Sequence, residues 1–207
     1  LYLLLNVYFL FRILKWLETC HVYFKKKWIK AVLVMIYVFL AFSILIAFLF
    51  PQGTIRRAMK LISNYWLGVL MYLALTILIA DLIRLILIYF VKADQKKFRT
   101  PKVFRIVGSI CMILIVSTSF YGVCNARNIR TTSYHVTIHK KAENHKKLKI
   151  ILLADLHLGY NIGCSQMKQM VMKVNQQSPD LIVVAGDIFD NEYDALDDPD
   201  QLIKIFR

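Results

Sequence analysis

The chain has 207 residues, 58% of them hydrophobic, and a mean hydropathy of +0.52. Soluble domains contain roughly 45–50% apolar residues, so this composition excludes an ordinary soluble protein. The formal charge of +14 suits nucleic acid, but the basic residues cluster in short loops between apolar runs, and no aromatic-basic platform accompanies them. We therefore expect a membrane protein, with the lipid bilayer and not nucleic acid as its partner.

Apolar runs fill the first part of the chain and predict a transmembrane helical region over residues 1–127. A run of about twenty apolar residues crosses the hydrocarbon core of a bilayer as a helix. The predicted spans are about 1–14, which is partial, 29–50, 65–91 and 103–123. The chain begins inside an apolar run and ends in the pattern of a helix start, so we expect a fragment with both ends missing.

Two charges interrupt the span predicted at 65–91. Asp81 and Arg84 are three residues apart and share a helix face, so we expect them to pair. Charges inside a membrane helix are candidate functional residues. An ion pair near the interface of an overlong helix is the interpretation that we favour, and a transport path is the alternative.

The basic residues of the loops predict the topology. The first loop, which ends at the start of 29–50, carries five: Lys15, Lys25, Lys26, Lys27 and Lys30. The second loop, between 29–50 and 65–91, carries three: Arg56, Arg57 and Lys60. The third loop, between 65–91 and 103–123, carries five: Lys92, Lys96, Lys97, Arg99 and Lys102. Cytoplasmic loops are enriched in Lys and Arg, so the first and third loops are predicted to be cytoplasmic. The region after Val123 then lies on the extracytoplasmic side of a multi-pass protein, in the cell membrane.

The region 128–207 has the pattern of an α/β domain. Continuous apolar runs at 148–154 and 180–185 predict strands buried on both faces. The amphipathic segment between them predicts a helix capped by Ser165, so the three elements form a βαβ unit with a parallel strand pair. Upstream, Ser133–His139 alternates apolar and polar residues like a half-exposed strand, and 140–147 predicts a charged turn.

Metal-ligand side chains follow both buried strands. Asp155 and His157 come after the first strand, and Asp187 comes after the second. The carboxyl ends of parallel strands share one edge of a sheet, so the three side chains are expected to converge on one crevice. Carboxylate oxygens and imidazole nitrogens suit manganese, iron or zinc. The sequence therefore predicts a metal site at this edge.

Asp155-Leu-His157 and Gly186-Asp187-Ile-Phe-Asp190 resemble the first two motifs, D-x-H and G-D-x-x-D, of the calcineurin-like metallophosphoesterases. The resemblance covers roughly 133–207 and implies that 128–207 is the N-terminal part of a four-layer α/β/β/α sandwich. It implies two divalent metal ions, with Asp155 and His157 on the first ion and Asp187 bridging both. Asp190 would support a ligand without binding metal itself. The implied reaction is hydrolysis of a phosphate ester by metal-activated water.

The third motif of that family, G-N-H-[DE], and its later G-H-x-H motif do not occur in the chain. The histidine that the third motif supplies for catalysis is therefore expected beyond the C-terminus, and we expect this chain to be inactive by itself. Together with its apolar half, the chain resembles the membrane-anchored type of this family. That architecture implies a lipid-linked or cell-envelope phosphoester as the substrate.

Two further function classes stay open at this stage. A non-catalytic membrane receptor or scaffold would keep the phosphoesterase fold and lose its chemistry. A transporter or channel is suggested only by the spans and by Asp81 with Arg84, and no pair of Gly- or Pro-broken helices accompanies them.

Two groups of titratable residues outside the motifs have plainer interpretations. The acidic run after the second motif lacks the order of a calcium loop and predicts a solvated loop leading into a helix; it consists of Asp194, Asp197, Asp198 and Asp200. Three histidines lie away from the ends of the buried strands and are predicted to be exposed: His135, His139 and His145.

Overall fold

The computed structural model describes residues 1–98, 100–139, 147–190, 193–196 and 198–206, apart from the side chain of Asp194. Contacts divide the chain into two compact units, Leu1–Cys124 and Asn125–Arg207. Residues 140–146 of the predicted turn, which include His145, lie outside the described residues, and so does Asp197.

Long helices form the first unit: α1, Tyr2–Cys20; α2, Lys27–Leu49; α3, Thr54–Tyr89; and α5, Pro101–Ala126, which follows the single turn α4, Gln95–Phe98. Helices α2, α3 and α5 are long and apolar enough to cross a membrane. Pro51 follows α2 and Pro101 begins α5, because proline cannot continue a helix from within but fits its first turn. The chain predicted as a partial span at 1–14 is one continuous helix to Cys20.

Polar contacts join α1 to α2 in antiparallel orientation. The Tyr2 hydroxyl donates to the Ala41 carbonyl at 2.7 Å, and the Tyr37 hydroxyl donates to Asn6 Oδ1 at 3.2 Å. Tyr37 also packs edge-on against Trp66 of α3, with ring centroids 5.0 Å apart. These contacts lie within the buried core of the unit: Phe9, Tyr37, Ala41, Trp66, Leu70, Leu73, Ile77 and Ile115.

Asp81 has a different partner from the one predicted. Its carboxylate accepts a hydrogen bond from Arg12 Nη1 at 2.8 Å and another from the Tyr8 hydroxyl, both from α1. No hydrogen bond or ion pair joins Asp81 to Arg84 in the described part of the chain. The predicted intrahelical pair is therefore replaced by a contact between helices, because Asp81 faces α1 and the long Arg12 side chain reaches it there.

The second unit contains the predicted βαβ arrangement. Strand β1 is Ile150–Leu153, helix α6 is Cys164–Gln176, strand β2 is Leu181–Val184, and helix α7 is Pro199–Phe206. The strands are parallel, and their register runs from the pair Ile150 and Leu181 to the pair Leu153 and Val184. Membrane-type helices followed by the start of an α/β domain are the predicted fold class, which is confirmed.

Helix α6 packs against strand β1 of this short sheet. Its buried residues Met167, Met170 and Val174 pack in one cluster with Ile151 and Leu153 of β1. The prediction of strands buried on both faces is wrong for this chain, since every residue of β2 is exposed. Among the described residues, nothing packs over the second face of the sheet closely enough to bury it.

Two local predictions in the second unit also change. Helix α6 is capped by Gly163 and not by Ser165, and the Gln166 side chain accepts from the Gly163 amide at 3.4 Å. Ser133–His139 is exposed and forms no strand, because an alternating pattern becomes a strand only when a neighbouring strand pairs with it. Asp198 caps α7 through a 2.9 Å bond from the Gln201 amide to its Oδ1 atom.

Helices α1 and α5 pack closely at one glycine. A Cβ atom on Gly108 would lie 2.2 Å from Trp16 Cδ1, and the Trp16 indole also donates to Ser109 Oγ at 3.3 Å. Gly68 of α3 has nothing within 4 Å of its Cβ position. The two positions therefore form a matched pair for testing this contact.

We expect Gly108→Ala to lower the free energy of unfolding by about 1–3 kcal/mol, because the added methyl group overpacks the helix contact. Gly68→Ala removes the helix penalty of glycine without a clash, so its stability should be unchanged or higher. Detergent-based thermal unfolding of both variants measures the difference. Equal midpoints would contradict the close packing of α1 on α5.

Candidate metal centre

Backbone hydrogen bonds continue past the ends of β1 and β2 and hold the two following loops together. The Ala185 amide donates to the Leu153 carbonyl at 2.8 Å, and the His157 amide donates to the Asp187 carbonyl at 3.1 Å. Leu158 extends the pairing further, since its amide donates to Ile188 and its carbonyl accepts from Asp190. The loops that carry the motif residues are therefore fixed to each other by the main chain.

Leu158 fixes these loops to the core. Its side chain is 1% exposed, and it lies in the same cluster as Met167 and Leu202. It is also bridged to Phe189 in the parallel sense. The apolar residue directly after His157 is thus buried, while the two motif residues before it, Asp155 and His157, keep access to solvent.

The three predicted ligands come together. One ligand atom from each of Asp155, His157 and Asp187 lies within 4.8 Å of the other two, and His157 Nε2 is 3.4 Å from Asp187 Oδ2. Two atoms that each lie about 2.1 Å from one ion are separated by about 3.0–3.4 Å at octahedral or tetrahedral angles. The His157 and Asp187 side chains therefore already have the separation of two ligands of one ion.

The same three residues share an unusual backbone conformation. The φ angles are +54° at Asp155, +46° at His157 and +51° at Asp187, and Gly186 has +95°. Left-handed φ costs a non-glycine residue on the order of 1–3 kcal/mol and is concentrated at functional sites. Asp and His tolerate it better than branched residues. The sequence did not predict this backbone conformation.

Asp190 lies beside the imidazole of His157 on its other nitrogen. Its Oδ1 atom is 3.3 Å from Nδ1, while Nε2 faces Asp187. A carboxylate in this position can accept a hydrogen bond from the Nδ1–H group. The proton then stays on Nδ1, and the Nε2 lone pair is available to a cation. The side chains of His157, Asp187 and Asp190 are 42%, 55% and 50% exposed, so the site is open to solvent.

Other polar residues of this unit lie apart from the group. His135 and His139 are exposed in the segment upstream of β1. Cys164 is buried at the start of α6, and its thiol donates to the Asp198 carbonyl at 3.6 Å. Its position is that of a core residue.

Comparison with known proteins gives three informative relatives. The chain is 30% identical to an uncharacterized metallophosphoesterase of Campylobacter jejuni over 193 residues. The aligned region covers 88% of this chain and 50% of that protein. Transmembrane proteins with a metallophosphoesterase domain from Danio rerio and Bos taurus are 30% and 33% identical over 88 and 89 residues, or 42% of this chain and 20% of theirs. No profile of a known protein family matches the chain. No solved structure matches it either.

All three relatives are named for one class, the metallophosphoesterases, and the two vertebrate relatives are also named as transmembrane proteins. The predicted resemblance to the membrane-anchored, calcineurin-like members of that class is confirmed by these similarities. The chain spans half the length of the Campylobacter relative and a fifth of the length of the two vertebrate ones.

Proposed function

We propose that this chain supplies the first half of a dinuclear metal site in a membrane-anchored phosphoesterase. The observation that carries the proposal is the convergence of Asp155, His157 and Asp187 at the carboxyl ends of two parallel strands, with ligand atoms within 4.8 Å of one another. In this proposal the full-length protein hydrolyses a phosphate ester.

The donor set fits a divalent ion. Two carboxylates and one imidazole suit manganese, iron or zinc, and the left-handed backbone holds all three side chains at one edge. Asp155 and His157 would hold the first ion, and Asp187 has a second carboxylate oxygen with which to bridge to another. Bound divalent ions supply an activated water and neutralise charge on the phosphoryl oxygens.

The non-catalytic alternative is less well supported by these residues. A scaffold that had lost its chemistry would have no physical need for three strained ligand positions, each costing on the order of 1–3 kcal/mol. The chain nevertheless lacks the G-N-H-[DE] motif, so we propose that activity requires further residues of the full-length protein.

The connection to the membrane helices supports a proposal for the substrate and the orientation. The unit that carries the site follows α5 directly in the chain, and the loop charges favour its placement outside the cytoplasm. We propose a lipid-linked or cell-envelope phosphoester as the substrate, because such esters are held at the bilayer surface.

Asp187→Asn in the full-length protein should abolish both metal binding and hydrolysis of bis(4-nitrophenyl) phosphate. Asparagine keeps the size of the side chain and tolerates the left-handed backbone, so the loss would report the missing carboxylate. The two readouts are metal content by elemental mass spectrometry and release of nitrophenol.

Asp180→Asn is the matched control for this experiment. Asp180 directly precedes strand β2, whereas Asp187 follows it, and Asp180 Oδ2 accepts a hydrogen bond from the Lys149 amide at 2.7 Å. This variant should keep both metal and activity. Unchanged turnover in Asp187→Asn would rule out the dinuclear proposal.

Asp190→Ala should weaken metal binding by about 10–100-fold without removing it, since the partners of a ligating histidine orient its ring and raise its basicity. The metal affinity of Asp190→Asn should lie between those of Asp190→Ala and the parent protein, because the amide oxygen of asparagine can still accept a hydrogen bond from Nδ1. Metal titration monitored by calorimetry measures the series. Complete loss of metal in both variants would instead make Asp190 a direct ligand.

Cysteine labelling tests the orientation. In a full-length background with the native cysteines replaced by serine, a cysteine at Ser133 should react with a membrane-impermeant maleimide added to intact cells. Its counterpart at Lys96, in the loop predicted to be cytoplasmic, should react only after permeabilisation. Both positions are exposed. Protection of Ser133→Cys together with labelling of Lys96→Cys in intact cells would show that the orientation is opposite to the proposed one.

A further inference from the structure

A cleft of about 50 Å³ lies between helices α1, α3 and α5 in the first unit. Its walls are largely apolar and include Leu73, Ile77, Val107 and Ile115, and one charged residue, Arg12, also lines it. The volume is too small for a separate organic ligand but accommodates part of a chain or headgroup that enters from the surrounding lipid.

Arg12 is only partly satisfied by its protein partners. Its Nη1 atom contacts Asp81 at 2.8 Å and the Tyr8 hydroxyl at 3.2 Å, while Nη2 and Nε have no hydrogen-bond partner among the described residues. The Arg12 side chain is 21% exposed. Polar donors left unpaired in an apolar environment are costly, so a phosphate oxygen at this position would be stabilised.

A second cation lies beside Arg12. The ring of Phe104 is 5.5 Å from the Arg12 guanidinium and 5.6 Å from Lys15 Nζ. Lys15 has no carboxylate within ion-pair distance in the part of the chain that the structure describes. The Phe104 ring of the cleft wall thus lies close to two positive groups, of which only Arg12 has a carboxylate partner among the described residues.

The same end of the helix bundle is strongly basic. The C-terminal end of α1, the start of α2, the loop after α3 and the start of α5 carry Lys15, Lys25, Lys26, Lys27, Lys30, Lys92, Lys96, Lys97, Lys102 and Arg105. Of the acidic residues there, Glu18 is already paired with Lys30. Clustered basic residues next to membrane helices attract anionic lipids, at about 1 kcal/mol for each Lys or Arg.

We infer that this cleft binds an anionic phospholipid of the surrounding bilayer. Lys15 and the free donors of Arg12 would contact the lipid phosphate, and the apolar walls would contact the first part of an acyl chain. Charge complementarity selects the occupant, since a phosphatidylcholine carries a compensating cation that two positive groups disfavour. The inference does not depend on the phosphoesterase activity.

The test measures which lipid the purified full-length protein retains. Equal amounts of phosphatidylglycerol and phosphatidylcholine with identical acyl chains are offered in detergent, and bound lipid is counted by native mass spectrometry. The parent protein should prefer phosphatidylglycerol. Lys15→Gln should lower that preference about fivefold, the equivalent of one basic contact, and Lys15→Arg should keep it.

Lys27→Gln is the matched control, because Lys27 is an exposed lysine at the same end of the bundle but on α2, whereas Lys15 lies next to Phe104 of the cleft wall. It should lower the preference by less than Lys15→Gln does. Equal effects of Lys15→Gln and Lys27→Gln would overturn the inference in favour of a diffuse surface potential. So would the absence of any preference in the parent protein.

A third variant tests the cleft itself. Cys111 lines the cleft, and Cys111→Phe fills it with apolar volume while leaving every charge in place. This variant should reduce retention of both lipids, with thermal unfolding in detergent confirming that the bundle stays folded. Retention equal to that of the parent would overturn the assignment of the lipid to this cleft.

Discussion

The parallel register between β1 and β2 determines where the candidate ligands lie, because both strands end level with each other. Leu153 pairs with Val184, and the loops continue the pairing through the amides of Ala185 and His157. A parallel pair presents both carboxyl ends at one edge, whereas an antiparallel pair would place the two motifs at opposite edges. The ligand residues have left-handed backbone in the loops that this pairing joins.

The membrane half depends on a different kind of interaction. Lipid tails are as apolar as leucine, so burial alone does not hold membrane helices together, and close packing and hydrogen bonds must contribute. The contacts of Tyr2, Asn6 and Arg12 with α2 and α3 are of this kind, as is the close approach of Trp16 to Gly108. All of them involve α1, so this helix adds polar and close-packed contacts to the packing of α2 against α3.

Elements with strong local patterns were predictable from the sequence. Continuous apolar runs gave the membrane helices, and the strand, amphipathic helix and second strand gave the βαβ unit. Predictions that depended on a partner were weaker. Ser133–His139 has a strand pattern but no paired strand among the described residues, and every residue of β2 is exposed. Asp81 bonds to Arg12 across 69 positions of the chain. Local pattern carries no information about which distant residue will lie opposite.

The sequence by itself predicted which residues are the candidate metal ligands, because D-x-H and G-D-x-x-D place carboxylate and imidazole side chains directly after apolar strands. It also determined that the chain contains helices apolar enough to cross a membrane, since hydropathy is a sum over residues and needs no coordinates. Only the tertiary structure decided that Asp155, His157 and Asp187 lie within ligand distance of one another and that Asp190 lies beside Nδ1 of His157. It also placed Arg12 in the wall of a cleft, with donors that have no partner among the described residues. These are relations between segments distant in sequence, and they follow from strand register and helix packing, which no single segment specifies.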